Sequence, residues 1–101
     1  METMHVISEK ACRMFWQKHT GAKEPLRAWL KATEQAKWQH LSAVRRTFNS
    51  ADVVGFYTVF NIKGNDYRLV TAIHYNRQKV YIRHVFTHPE YDRWSKALQG
   101  S

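Results

Sequence analysis

Four side chains in the second half of this 101-residue chain could together do chemistry at a phosphate: Arg68, Arg83, His88 and Tyr91. The guanidinium fork of arginine matches phosphate oxygens two at a time, so two arginines on neighbouring strands could hold a scissile phosphate and stabilise the charge that develops as it is attacked. Such a clamp needs no metal. His88 and Tyr91 lie three apart, a spacing that puts both on one side of a helix, and each can move a proton. At a helix start beside arginines, His88 is expected as a neutral base near pH 7. Each residue type also has a plainer use, because strand arginines are usually solvated and an isolated histidine at a helix start usually caps or faces water. The chemistry therefore depends on whether the fold brings the four together.

The half that carries them reads as strands. Phe56 to Ile62, Tyr67 to Tyr75 and Val80 to Phe86 are dense in Val, Ile, Tyr, Phe and Thr. Gly64-Asn65 and Asn76-Arg77-Gln78-Lys79 separate them, which predicts an antiparallel three-stranded meander. A two-residue turn at Gly64-Asn65 pairs Ile62 with Tyr67 and Asn61 with Arg68. An even-numbered second loop pairs Tyr75 with Val80 and Ala72 with Arg83. One face then carries Asn61, Arg68, Val70, Ala72, His74, Tyr81 and Arg83, while the other carries Phe60, Leu69, Ile73, Ile82 and Phe86 as a floor for helices. An odd-numbered loop would divide the two arginines between faces. Thr87-His88-Pro89-Glu90 has the form of a capping box, with Thr87 as N-cap and Glu90 three residues on, and opens a short helix through Tyr91 and Trp94.

The N-terminal half reads as helices. Met4 to Ile7 suits one edge strand, and Ser8 with Glu9 marks the N-cap of a helix through about His19, ended by Thr20 and Gly21. A second helix from near Lys23 to about His40 places Leu26, Trp29, Leu30, Thr33 and Ala36 at helical spacing, with Pro25 tolerated in its first turn. Leu41 to Val54 reads as a short helical turn and a long connection. The expected architecture is a single α+β domain over residues 1–101, in the order β-α-α-β-β-β-α, with an antiparallel sheet packed on two N-terminal helices.

Composition narrows the classes of function. Hydrophobic residues make up 44% of the chain, with only four glycines and two prolines, which excludes a disordered polymer. A chain this short has no second core and no deep cofactor pocket. Cys12 is alone, no Cys-x-x-Cys occurs and no histidine spacing suggests a structural metal, so neither a disulfide, a metal nor a cofactor is expected, and a reducing cytoplasm suits the protein. The longest uncharged stretch, Val53 to Ile62, is too short to span a membrane, and Glu2, His5 and Glu9 spoil a signal peptide. No membrane partner is expected. Sixteen Lys and Arg against eight Asp and Glu give a formal charge of +8, which raises affinity for polyanions, nucleic acid first.

Three segments carry a resemblance: Phe-Asn-Ser-Ala-Asp (48 to 52), Val-Phe-Asn-Ile-Lys-Gly-Asn-Asp-Tyr-Arg-Leu-Val (59 to 70) and Tyr-Ile-Arg-His-Val-Phe-Thr-His-Pro-Glu-Tyr-Asp (81 to 92). On these the chain resembles the HigB-type toxins of type II toxin-antitoxin systems, within the RelE/ParE superfamily, over nearly its whole length and least over the N-terminal helices. The resemblance implies a RelE-like domain acting as an mRNA interferase, a metal-independent endoribonuclease that cuts mRNA threaded on the ribosome. It also implies a HigA-type helix-turn-helix antitoxin as the partner that holds it inactive. The nucleophile so implied is the RNA's own 2′-hydroxyl, leaving a cyclic phosphate and a free 5′-hydroxyl. Residue by residue, Arg68 and Arg83 match the motif arginines, while His88 and Tyr91 match the His and Tyr of Thr-His-x-x-Tyr.

The chain departs from related RelE toxins in one respect. No Glu lies on the proposed active face between residues 56 and 86, and Asp66 sits in a turn, so His88 is either the base or the acid. Around this centre Asn61, Lys63, Arg77, Lys79, Arg45 and Arg46 are expected to contact RNA through phosphates rather than bases. Two other readings stay open: a ParE-like gyrase inhibitor that has lost the RNA-cutting residues, and a non-catalytic RNA-binding module in which Tyr57, Tyr81 and Tyr75 stack bases. Retention of His88 with both arginines favours the nuclease. Met4 is expected as the natural start, and Gly100-Ser101 as an appended tail.

Overall fold

The computed structural model describes residues 2–99; Met1 and Gly100-Ser101, on which the expectations about the chain's ends bear, lie outside the described residues. The order is β1 (His5–Ile7), α1 (Lys10–Lys18), α2 (Lys23–Gln35), α3 (Leu41–Thr47), β2 (Asp52–Val54), β3 (Tyr57–Ile62), β4 (Tyr67–His74), β5 (Lys79–Thr87) and α4 (His88–Gln99). The class is α+β; α3 takes the place of the expected short helical turn after Leu41, and β2 lies within the expected long connection up to Val54. Both are held by partners distant in sequence. Val44 buries α3, whose C-terminal Thr47 accepts from Trp38 Nε1 at 3.2 Å, and β2 exists through its pairing of Asp52 with Val59 and Val54 with Tyr57. Elements of seven and three residues are too short to show a hydrophobic period.

Two helix boundaries also differ from expectation. Ser8 does not cap α1; it takes a left-handed φ of 71°, and the helix begins at Lys10 with Glu9 at its N-cap. α2 ends at Gln35 rather than near His40, because Ala36 turns extended and its carbonyl accepts the Met4 N–H at 2.9 Å. The strand entering from the N-terminus thereby takes an acceptor that a longer helix would need.

The strands lie in the order β1-β5-β4-β3-β2. β2 to β5 are antiparallel, but β1 runs parallel to β5, with His5 beside Lys79 and Ile7 beside Tyr81. The sheet is therefore mixed, not antiparallel throughout. Helices α1 to α3 cover one face. Cys12, Leu26, Trp29, Leu30 and Val44 close there on Phe60, Ile62, Leu69, Val80 and Ile82. Phe60 sits 5.1 Å from Trp29, 5.4 Å from Phe48 and 6.2 Å from Trp38, ring centre to ring centre. Burial pushes the Cys12 thiol up to about 12.

The two hairpins position the candidate site. In the first, Ile62 pairs with Tyr67 and Asn61 with Arg68, and Asp66 N–H closes the turn on the Lys63 carbonyl at 3.1 Å. Gly64 has φ 63°, a region that costs a side-chain-bearing residue energy. The second hairpin differs from expectation. Its loop is Tyr75 to Gln78, still even-numbered, and pairs His74 with Lys79, Ile73 with Val80 and Ala72 with Tyr81. Gln78 sets that loop, because its side-chain Nε2 donates to the Tyr75 carbonyl at 2.8 Å and to the Trp38 carbonyl at 2.6 Å. Further along, the register slips between Val70 and Thr71: Thr71 faces Ile82 while Val70 faces His84, so Arg83 is an unpaired bulge residue. The slip carries Phe86 opposite Arg68, away from the floor expected of it, and Val85 packs against the core instead.

Candidate active site

Where β4 begins, β5 ends and α4 starts, three of the four singled-out side chains gather. Arg68 is pinned by its own turn: Nη1 donates to the carbonyls of Asn65 and Tyr67, each at 3.1 Å. Its guanidinium carbon lies 5.6 Å from the centre of the Tyr91 ring, within cation–π range. His88 opens α4, with its backbone N–H on the Asp66 carbonyl at 3.0 Å. The charge that touches its ring is a carboxylate and not an arginine, because Nδ1 lies 3.2 Å from Asp92 Oδ2. Partial burial pushes the Tyr91 phenol up, with Asp52 and Asp92 adding to the rise and Arg68 opposing it. Tyr91 accordingly keeps its proton across the neutral range.

The capping box that aims this helix forms as the sequence predicts. Glu90 accepts the Thr87 N–H at 2.8 Å and its own N–H points back to Thr87 Oγ1 at 3.4 Å. The Thr87 backbone bond is the main reason the Glu90 carboxyl is held below its ordinary range. A carboxyl so lowered stabilises the fold above its unfolded value, and that contribution disappears as pH falls through the lowered one. Thr87→Ala should therefore lower the melting temperature by about 4–8 °C, the effect of losing about 1 kcal/mol of cap in a domain this size. Glu90→Gln should flatten the acid side of the melting-temperature profile between about pH 5 and pH 3, which thermal scans would read directly.

Arg83 stands apart. It lies three residues from Phe86, about 10 Å along the strand, and its guanidinium carbon folds to 5.3 Å from the Tyr81 ring. Tyr81 meets His74 on the same face as Ala72, so both arginines project to one side, Arg68 over Tyr91 and Arg83 over Tyr81. Among the outer candidates, Asn61 and Lys63 lie at the Arg68 end, with Lys63 Nζ 3.8 Å from Asp66. Arg77 and Lys79 sit at the far end of the same hairpin, about 20 Å of strand away. Arg45 donates from Nε to the Ala51 carbonyl at 3.0 Å and lies 3.8 Å from Asp52, and both it and Arg46 are exposed on α3. Of the three tyrosines, Tyr57 packs on Trp94 at 5.3 Å and Tyr75 on the core, which leaves Tyr81 facing outward.

Several residues at the site were not legible from the chain alone. Trp94 of α4 packs over the sheet, edge-on to Tyr57 and tilted against His84, Phe86 and Tyr91, with ring centres 5.3 to 5.9 Å away. Val59 and Val70, on the same face, are buried. His84 is held towards its neutral form by burial and by Arg83. Asp52 brings a carboxylate to this face through the unforeseen strand β2; its signal was the Phe-Asn-Ser-Ala-Asp segment. Asp92 closes the third segment, and its signal was the helical spacing of four from His88.

The described residues include no helix long and apolar enough to cross a membrane. The family HigB_toxin, the RelE-like toxic component of a toxin-antitoxin system, matches residues 22–94. The mRNA interferase toxin HigB of Escherichia coli strain K12 is 33% identical over 92 residues, covering 88% of each chain. The mRNA interferase HigB of Shigella flexneri matches to the same extent. The matched range contains Arg68, His88, Tyr91 and the elements that gather them, and with relatives this similar over this much of its length, the chain belongs to the HigB family of RelE-like toxins.

Proposed function

We propose that this protein is an mRNA interferase that cuts mRNA on the ribosome without a metal, using the RNA's 2′-hydroxyl as nucleophile. The observation that carries the reading is the Arg68 guanidinium lying over the Tyr91 ring at the helix start that bears His88. Arg68 holds the scissile phosphate. His88, its Nδ1 engaged by Asp92, takes the 2′-hydroxyl proton at Nε2; the 2′-oxygen attacks the adjacent phosphorus, the bond to the 5′-oxygen breaks, and Tyr91 returns a proton to that oxygen. The products are a 2′,3′-cyclic phosphate and a 5′-hydroxyl. Arg83, folded on Tyr81, serves as an RNA contact farther along the strand from the reacting phosphate. Asn61 and Lys63 meet the backbone close to it, with Arg46, Arg77 and Lys79 meeting it farther out.

The inhibitory partner in this reading is a HigA-type antitoxin, and the compartment is the cytoplasm, where translated mRNA is found. A net charge of +8 suits both an RNA substrate and an acidic antitoxin surface. Expressed without an antitoxin, the protein should arrest growth and leave breaks in translated mRNA, mapped by primer extension. Arrest with transcripts intact would remove the reading.

A further inference from the structure

One groove, about 710 Å³, lies between α1 and α2 and is lined by Glu9, Glu24 and Glu34 against Arg13, Arg27 and Lys31. Its charges balance and two of its pairs are already joined, Arg13 to Glu9 and Arg27 to Glu24, so it favours no ligand. A smaller groove, about 380 Å³, differs in chemistry and in place. It runs between Met14, Phe15 and Lys18 of α1 and Arg83, His84 and Phe86 of β5. The groove exists because β1 stops pairing at Tyr81, after which, among the described residues, β5 has no strand on that side.

Each wall carries a stacked ring pair. Phe15 and His19 lie 4.4 Å apart at 25°, and His84 and Phe86 lie 4.9 Å apart at 13°. Met14, 55% exposed, adds a soft apolar surface. Lys18 and Arg83 are exposed cations, while the bordering carboxylate, Glu90, accepts the Thr87 N–H. Phe86 is the direct cross-strand partner of Arg68, so the groove opens one side chain from the candidate centre. Its volume is that of a small-molecule site. Flat π-surfaces with cations at the rim are what a single-stranded nucleotide recognises, through base stacking and phosphate contact.

We propose that this groove seats the base of one nucleotide flanking the cut bond, with Lys18 and Arg83 on the neighbouring phosphates. The inference rests on the mRNA-cleavage reading. An extended acidic peptide would meet the same cations, but it would offer no flat ring to the two walls.

The test uses ribosomes carrying a short mRNA, purified full-length protein and product counts over a range of protein concentrations. Met14→Ala/Lys18→Ala should raise KM roughly tenfold more than it lowers kcat, because a lost apolar contact and a lost phosphate contact both act on binding. Lys31→Ala, an equal loss of charge on α2, should change neither constant. With each of the four nucleotides placed beside the cut, the double variant should also flatten the preference of the wild type. Wild-type cutting with unchanged KM and preference in the double variant would overturn the groove and leave the nuclease reading intact. A double variant that cuts normally yet escapes neutralisation by the antitoxin would assign the groove to the antitoxin, and so overturn the proposal. No cutting by the wild type would remove the nuclease reading and this inference with it.

Discussion

Arg68→Ala should abolish mRNA cleavage while the protein stays folded. The guanidinium is the positive group held against Tyr91 at the candidate centre, and removing a preorganised donor to a developing oxyanion typically slows turnover by roughly 100- to 1,000-fold. Arg68→Lys should recover only part of the loss, because an ammonium cannot present the planar fork. His88→Ala should cost roughly 100- to 10,000-fold, the range for a lost acid or base. Asp92→Asn, which keeps the shape beside His88 Nδ1 and removes the charge, should cost less than either. Arg68 also donates to two turn carbonyls, so melting temperature must be measured beside activity. An unfolded Arg68→Ala would make the residue structural, and a folded variant that cuts at the wild-type rate would remove it from the mechanism.

Phe60→Ala should be the most destabilising single truncation. The ring is 1% exposed and meets Trp29, Trp38 and Phe48, so α2, the segment after it and the end of α3 all close on this one side chain. Truncating a buried phenylalanine costs about 3–5 kcal/mol, against a total of about 5–15 kcal/mol for a domain. The expected fall in melting temperature is of order 20 °C. Phe60→Leu should recover much of it, because the space stays mostly filled. A melting temperature within a few degrees of wild type for Phe60→Ala would mean that the four rings do not share one packed core.

What could be read from the chain was local. The register of the first hairpin follows from Gly64-Asn65, because a short turn leaves its flanking residues few ways to pair. The Thr87 to Glu90 box follows from side chains reaching backbone groups three residues away. Of the apolar stripe Leu26, Trp29, Leu30, Thr33 and Ala36, the first four form the buried face of α2, as their period alone indicates, while Ala36 falls beyond the helix end.

What only the tertiary structure decided was long-range. β1 is parallel to β5 and β2 exists at all because strands far apart in the chain supply their hydrogen-bond partners. Neither three-residue strand has a period of its own. The slip at Arg83 is a compromise within one strand: Val80 and Ile82 face the helices before it and Val85 after it, and two apolar positions separated by an odd step cannot share a face without an extra residue. That one residue moved Phe86 beside Arg68 and left Arg83 unpaired in the ladder. The chemistry was legible because it lies in residue types and short spacings, whereas its assembly depends on the packing of strands that the chain brings together only when folded.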